Sequence, residues 1–373
     1  MTRCLTVLAA SVLLLAAGCG GGQLPRGDLA PPTGGRDPYN VLLEALRSAQ
    51  PPLQAYACEL FLDTDRPPPV ADIRPLADSP DPRVRMLAVT VLGSMRRPEL
   101  SPAFQQKQRD GDAAVRLAAA FALAMSGDGS GMTSLRDALA SSDVAQRRNG
   151  VWLLGLIGDA SATGMLKLKL DDPDALVALR AAEALHRLAC DDGLDVVRIL
   201  TEHDHHEIRF WAARLLGRMG QVADVPRLER LVQSRFLDVK FEAIAALAER
   251  GDLKRIEMLL SFIDVPDADT RLLAIRALGE TGYTPAVDRL AGVVAKGDLV
   301  ERATAAGSIL RIQSTRQSWR SRILAERAPA TPPPKRAVGQ GGPPAPPRGP
   351  AREPLAPRTP RGPSEKLPDG ALR

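Results

Sequence analysis

Apolar residues in this chain recur in blocks of 31. "DPRVRMLAVTVLG" from Asp81, "DAAVRLAAAFALA" from Asp112 and "DVAQRRNGVWLLG" from Asp143 align column by column. The segments from Asp174, His205, Phe236, Asp267 and Asp298 stay in step, and one step back gives "QPPLQAYACELFL" from Gln50. Within each segment the apolar positions fall three and four apart, the spacing of one helical face. The second half of each block carries the same spacing, as in Val225, Leu228, Leu231 and Val232, and again in Val287, Leu290, Val293 and Val294. The pattern predicts an all-α chain of about nine helix–turn–helix units. One such pair cannot bury its apolar face alone, so the units are expected to stack into a solenoid.

The columns have separate tasks. The first is Asp in six of nine units, including Asp81, Asp112, Asp143, Asp267 and Asp298, an N-cap for the free N–H groups of the long helix. The fifth is basic in seven, including Arg85, Arg116, Arg147, Arg271 and Arg302. The eighth is Ala or Gly in all nine, which lets helices approach closely. The thirteenth is often Gly (Gly93, Gly155, Gly217, Gly279), expected to end the helix in the left-handed conformation. "PYNVLLEALRS" before the first unit reads as an N-terminal capping helix, and 314–326 as a polar final second helix capping the other end.

Composition fits this picture. Aromatic residues are only 3%, and helices packed through Leu, Val and Ala need few. The net charge is +5, but residues 328–373 hold eight basic and three acidic residues and so carry all of it. The body is formally neutral, which argues against a nucleic-acid partner.

The first residues tell of export. Arg3 precedes an apolar run from Leu5 to Ala17, then Gly18 and Cys19. The run is too short to span a bilayer and suits a signal peptide. "LAAGC" resembles the bacterial lipobox, with Ala16 where the strongest form has Leu. The resemblance implies a signal peptide over 1–18, lipidation of Cys19, and a lipid-anchored protein of the bacterial cell envelope. Gly20 in place of Asp favours the outer membrane, facing the periplasm, in a Gram-negative cell. Residues 19–38 are Gly- and Pro-rich and read as a flexible tether. The body spans 39–326, and the Pro- and Arg-rich tail 327–373 cannot build a core. Its charge suits weak contact with an anionic surface.

The pattern D-x-x-V-R-x-x-A-x-x-x-L-G, at this period, resembles HEAT repeats of the phycobilisome-lyase type over residues 39–326. The resemblance implies that capping Asp and basic residues form ladders between repeats. It also implies that second helices line a concave surface. Some relatives of this type are enzymes. Deoxyhypusine hydroxylase holds two irons with several His-Glu pairs, whereas this chain has one, His206-Glu207. A lyase-type enzyme or chaperone-like modifier is the alternative to a non-catalytic scaffold for protein partners, with no cofactor.

Three features compete for a site. "TEHDHHEIRFW" (201–211) gathers three of the four histidines among acidic residues; His203, His205 and Asp204 are weak metal-ligand candidates. His205 stands in the N-cap column, and His203 and His205 are expected to face Asp172 and Asp174 of the preceding unit. Arg74, Arg136, Lys167 and Arg198 share one column of the second helix and form a candidate stripe for an acidic partner. The competing reading pairs Arg74–Asp78, Lys167–Asp171 and Arg198–Glu202 along the helix. Cys58 and Cys190 lie too far apart along the stack for a disulfide.

Overall fold

A computed structural model describes residues 36–64, 66–250 and 252–327, with side chains as far as 314. The predicted alternation of long and short helices is present, with no strand among the described residues. The long first helices are α2 (Pro51–Leu62), α4 (Pro82–Ser94), α6 (Ala113–Met125), α8 (Val144–Ile157), α10 (Ala175–Arg187), α12 (His206–Met219), α14 (Leu237–Ala248), α16 (Ala268–Glu280) and α18 (Leu299–Arg327). The second helices are α1 (Pro38–Leu46), α3 (Val70–Ile73), α5 (Ser101–Lys107), α7 (Ser130–Leu139), α9 (Thr163–Leu168), α11 (Leu194–Leu200), α13 (Val225–Val232), α15 (Leu253–Ser261) and α17 (Ala286–Lys296). Short 3₁₀ turns extend several of them.

The Asp column caps as expected. Asp81 accepts from the backbone N–H groups of Arg83 and Val84, Asp112 from Ala114 and Val115, and Asp267 from Thr270. Each such cap is worth about 0.5–2 kcal/mol. The small eighth column is fully buried: Ala57, Ala88, Ala119, Ala181, Ala212, Ala243, Ala274 and Ala305 have no exposed surface.

The glycine column works differently from the expectation. Gly93, Gly155, Gly217 and Gly279 lie inside their helices, not beyond the ends. Each meets a small residue of the next unit. A Cβ on Gly155 would stand 2.8 Å from the Cβ of Ala184, and one on Gly93 2.6 Å from that of Ala122. Close helix contact, not a left-handed turn, demands glycine there. The left-handed turn that ends α8 is made by Gly158 (φ 71°).

The expected caps do not close the ends of an open stack; the two ends meet each other. α18 packs on α1 and α2. Tyr56 Oη donates to Thr304 Oγ1 at 3.2 Å, Arg311 Nη2 reaches Asp63 Oδ2 at 2.5 Å, and Arg302 pairs with Glu44. A Cβ on Gly307 would strike Leu60 Cδ2 at 2.6 Å, so the seam is as tight as the other inter-repeat contacts. Nine units thus close a ring, each turning by about 40°. Residues 314–326 are not a separate second helix. They continue α18, because neither Gly nor Pro follows its thirteenth position, Leu310, before the helix ends at 327.

Candidate functional site

Closure decides which surfaces exist. Positions 6, 9 and 13 after the cap lie three and four apart on one face of the long helix, and this face points to the ring axis. In α12 they are Trp211, Arg214 and Arg218; in α2 they are Tyr56, Glu59 and Asp63. Across the nine units these columns hold six acidic and six basic residues, so the hub is balanced in charge.

The hub side chains reach past their neighbours. Arg214 of α12 pairs with Glu280 of α16, bypassing α14. Arg218 Nη2 reaches Glu280 Oε2 at 3.0 Å and its Nη1 reaches Glu183 Oε1 at 3.4 Å. Arg311 Nη1 stands 3.0 Å from Glu280 Oε1 while its other nitrogen holds Asp63. Burial pushes the Glu280 carboxyl up, but Arg214, Arg311 and Arg218 together overcome this and hold it well below the usual carboxylate range. Burial raises Glu59 to about 7 against the pull of Arg83, 2.9 Å away. Burial lowers Arg180 to about 10, with Glu183 opposing. The expected open concave surface is therefore absent among the described residues: the inner face of the ring is filled by its own ion pairs.

The fifth-column arginines form a ladder. Nη1 of Arg85 donates to the carbonyls of Ser79 and Pro80, and Nη1 of Arg147 to those of Ser141 and Ser142. The other edge faces the next repeat. Arg85 Nε and Nη2 hold Asp110 at 3.0 and 2.9 Å, and Arg147 holds Asp172 at 2.8 and 3.0 Å. Arg271 holds Glu301 at 2.8 and 2.6 Å. The carboxylate partner stands two residues before the N-cap, or three after it for Glu301; it is not the capping Asp that the resemblance implied.

The histidines fit this ladder. Asp172 and Asp174 are held by Arg147 and Arg148, so they do not face His203 and His205 as expected. His203 Nδ1 accepts from the backbone N–H of His205 at 3.1 Å. That is the bond that Asp110 and Asp172 make to Asp112 and Asp174. The preceding unit has Ala178 in the basic column, so no carboxylate is needed here. His205 makes no side-chain cap. His206 stacks on Phe236, centroids 4.3 Å apart, with Nδ1 3.0 Å from Asp238. Among the described residues no three His, Cys, Asp or Glu side chains are arranged to hold a metal ion, so His203, His205 and Asp204 do not form one site.

The pattern of the HEAT repeats family matches residues 163–248 and 225–310. Residues 163–310 consist of HEAT repeats. No curated protein matches the chain in sequence. Among solved structures, the chain is similar to the complex of CpcE and CpcF of phycocyanin lyase from Nostoc sp. PCC7120, at 20% identity and a TM-score of 0.44, over 60% of this chain and 94% of that one. Human deoxyhypusine hydroxylase in complex with glycerol matches at 17% identity and a TM-score of 0.30, over 65% of this chain and 96% of that one. These likenesses concern the arrangement of helices.

The second helices of the ring face outward. Arg74, Arg136, Lys167 and Arg198 therefore stand on the outer rim and line no concave surface. Lys167 pairs with Asp192 at 2.6 Å, and Arg198 with Asp224 at 2.8 Å and Asp195 at 2.9 Å. These partners replace the expected Asp171 and Glu202, because the next repeat offers a carboxylate in line with each cation. Asp78 takes Lys107 instead of Arg74. Arg74 and Arg136 are exposed. Cys58 is buried and Cys190 half-buried, and both are free thiols. Cys19 and the tail lie outside the described residues.

Sequence reasoning missed the hub, although a signal was there. Glu183, Arg214, Glu242 and Arg276 interrupt the apolar face of otherwise buried helices. A charge in such a column requires a partner, and the closed ring supplies one from a neighbouring unit or from across the axis.

Proposed function

We propose that the ring is a non-catalytic scaffold for protein partners, held at the bacterial cell envelope by a lipid on Cys19. The observation that carries this reading is on the outer rim. Leu168 and Ile199, in the same column of adjacent repeats, are 74% and 71% exposed. Val222 and Leu253, likewise equivalent, are 87% and 59% exposed. Apolar side chains repeated in register on a rigid surface suit a protein contact. The exposed Arg74 and Arg136 add positive charge to the same rim, for a partner with acidic residues. Anchoring rests on the lipobox resemblance; among the described residues no helix is long and apolar enough to cross a membrane.

Proximity labelling from the full-length protein tests the scaffold. A recurrent set of proteins is expected, and it should be lost in the Leu168→Asp, Ile199→Asp double variant while the melting temperature holds. The same set from both proteins would overturn the rim as the contact. Metabolic labelling with a lipid analogue, present in the native chain and absent in Cys19→Ala, checks the anchor.

A further inference from the structure

Two of the ladder arginines differ from the rest. Arg209 Nη1 holds the carbonyls of His203 and Asp204, as its counterparts do in their own loops. The position 25 residues later, where Arg85 finds Asp110 and Arg147 finds Asp172, is Ser234. Ser234 Oγ keeps the loop bond, accepting from the backbone N–H of Phe236 at 3.2 Å. It has no second oxygen for the guanidinium, and Arg209 Nε and Nη2 make no hydrogen bond among the described residues. Arg116 faces Ser141 in the same way.

The surroundings separate the two. Arg209 lines a depression of about 400 Å³ together with Ser234, Arg230, Arg235 and Phe236. Arg235 stands 4.8 Å over the Phe236 ring and Arg209 5.5 Å from it. Two carboxylates also line this depression: Glu202, held by Arg230 at 3.2 Å, and Asp204, whose backbone carbonyl, not its carboxylate, is bound by Arg209. At Arg116 the equivalents of Arg230, Arg235 and Phe236 are Asp137, Ser142 and Asp143, and those of Glu202 and Asp204 are Arg109 and Gly111, so the helix side of that site carries two acidic groups and a hydroxyl where the depression has two cations and a ring. We infer that the depression at Arg209 binds the carboxylate of an acidic protein segment, which takes the place that Asp110 and Asp172 take in sister repeats. A planar carboxylate matches the Nε–Nη2 edge with two parallel bonds. The inference rests on the scaffold reading and gives its partner a chemistry.

Nuclear magnetic resonance of the full chain tests it at the Arg209 Nε–H signal, assigned by its absence in Arg209→Lys. N-acetyl-aspartate amide should shift that signal saturably, and N-acetyl-asparagine amide should not. Ser234→Asp supplies the missing carboxylate from within and should weaken binding by about tenfold or more. Ser234→Ala leaves the edge open and should bind as the native protein does, which separates blocking from misfolding. A linear response, an equal shift at Arg116, unchanged binding in Ser234→Asp, or tighter binding of inorganic phosphate would each overturn the carboxylate site. Such a failure would leave the proximity-labelled partners in place, whereas loss of those partners with binding intact would overturn the scaffold alone.

Discussion

Glu59 shows what one buried group does to the whole. Burial raises its carboxyl from 4.5 to about 7, so between those values the folded protein keeps a proton that the unfolded chain has released. Its contribution to stability is then fullest below the lower value, falls as pH rises toward 7, and levels off above it. Glu59→Gln removes this slope; the native protein should lose on the order of 2–3 kcal/mol relative to the variant between about pH 5 and 8, read by urea unfolding. Glu280 acts in the opposite sense, since its lowered value makes its contribution fade only toward acid. Glycines make a second test at this scale. Gly155→Ala should destabilise by about 1–3 kcal/mol, because the added methyl meets Ala184. Gly292→Ala, with nothing within 4 Å of the new Cβ, should stabilise by about 0.5–1 kcal/mol through helix propensity. Thermal unfolding of the two variants checks both signs.

At the scale of elements, the helices were legible because their signals are local. The 31-residue period, the Asp caps and the small column are each contained in one unit or its neighbour. The hub and the ladder partners were not, because Arg214 meets Glu280 66 residues on and Arg311 meets Asp63 248 residues back. The histidines were hard to read for a related reason: their cluster is dense in sequence, but His206 turns to Phe236 and Asp238 while His203 and His205 stay beside each other. Arg311→Met tests the hub, since it takes from buried Asp63 the arginine that holds it. A loss of about 3–5 kcal/mol is expected in thermal or urea unfolding.

At the scale of the molecule, the seam makes the ends interior. Glu44 and Arg302 pair although they lie 258 residues apart. Glu44→Cys and Arg302→Cys, combined on a Cys190→Ser background, should be joined by a short bismaleimide reagent, seen as a mobility shift on a denaturing gel. In an open stack of nine units at about 10 Å each, the two positions would lie far beyond its reach. Closure also constrains the gene. An open solenoid gains or loses a repeat and merely changes length. Here an added or deleted unit would leave the last helix out of register with the first, so the chain can tolerate divergence within its units but not a change in their number.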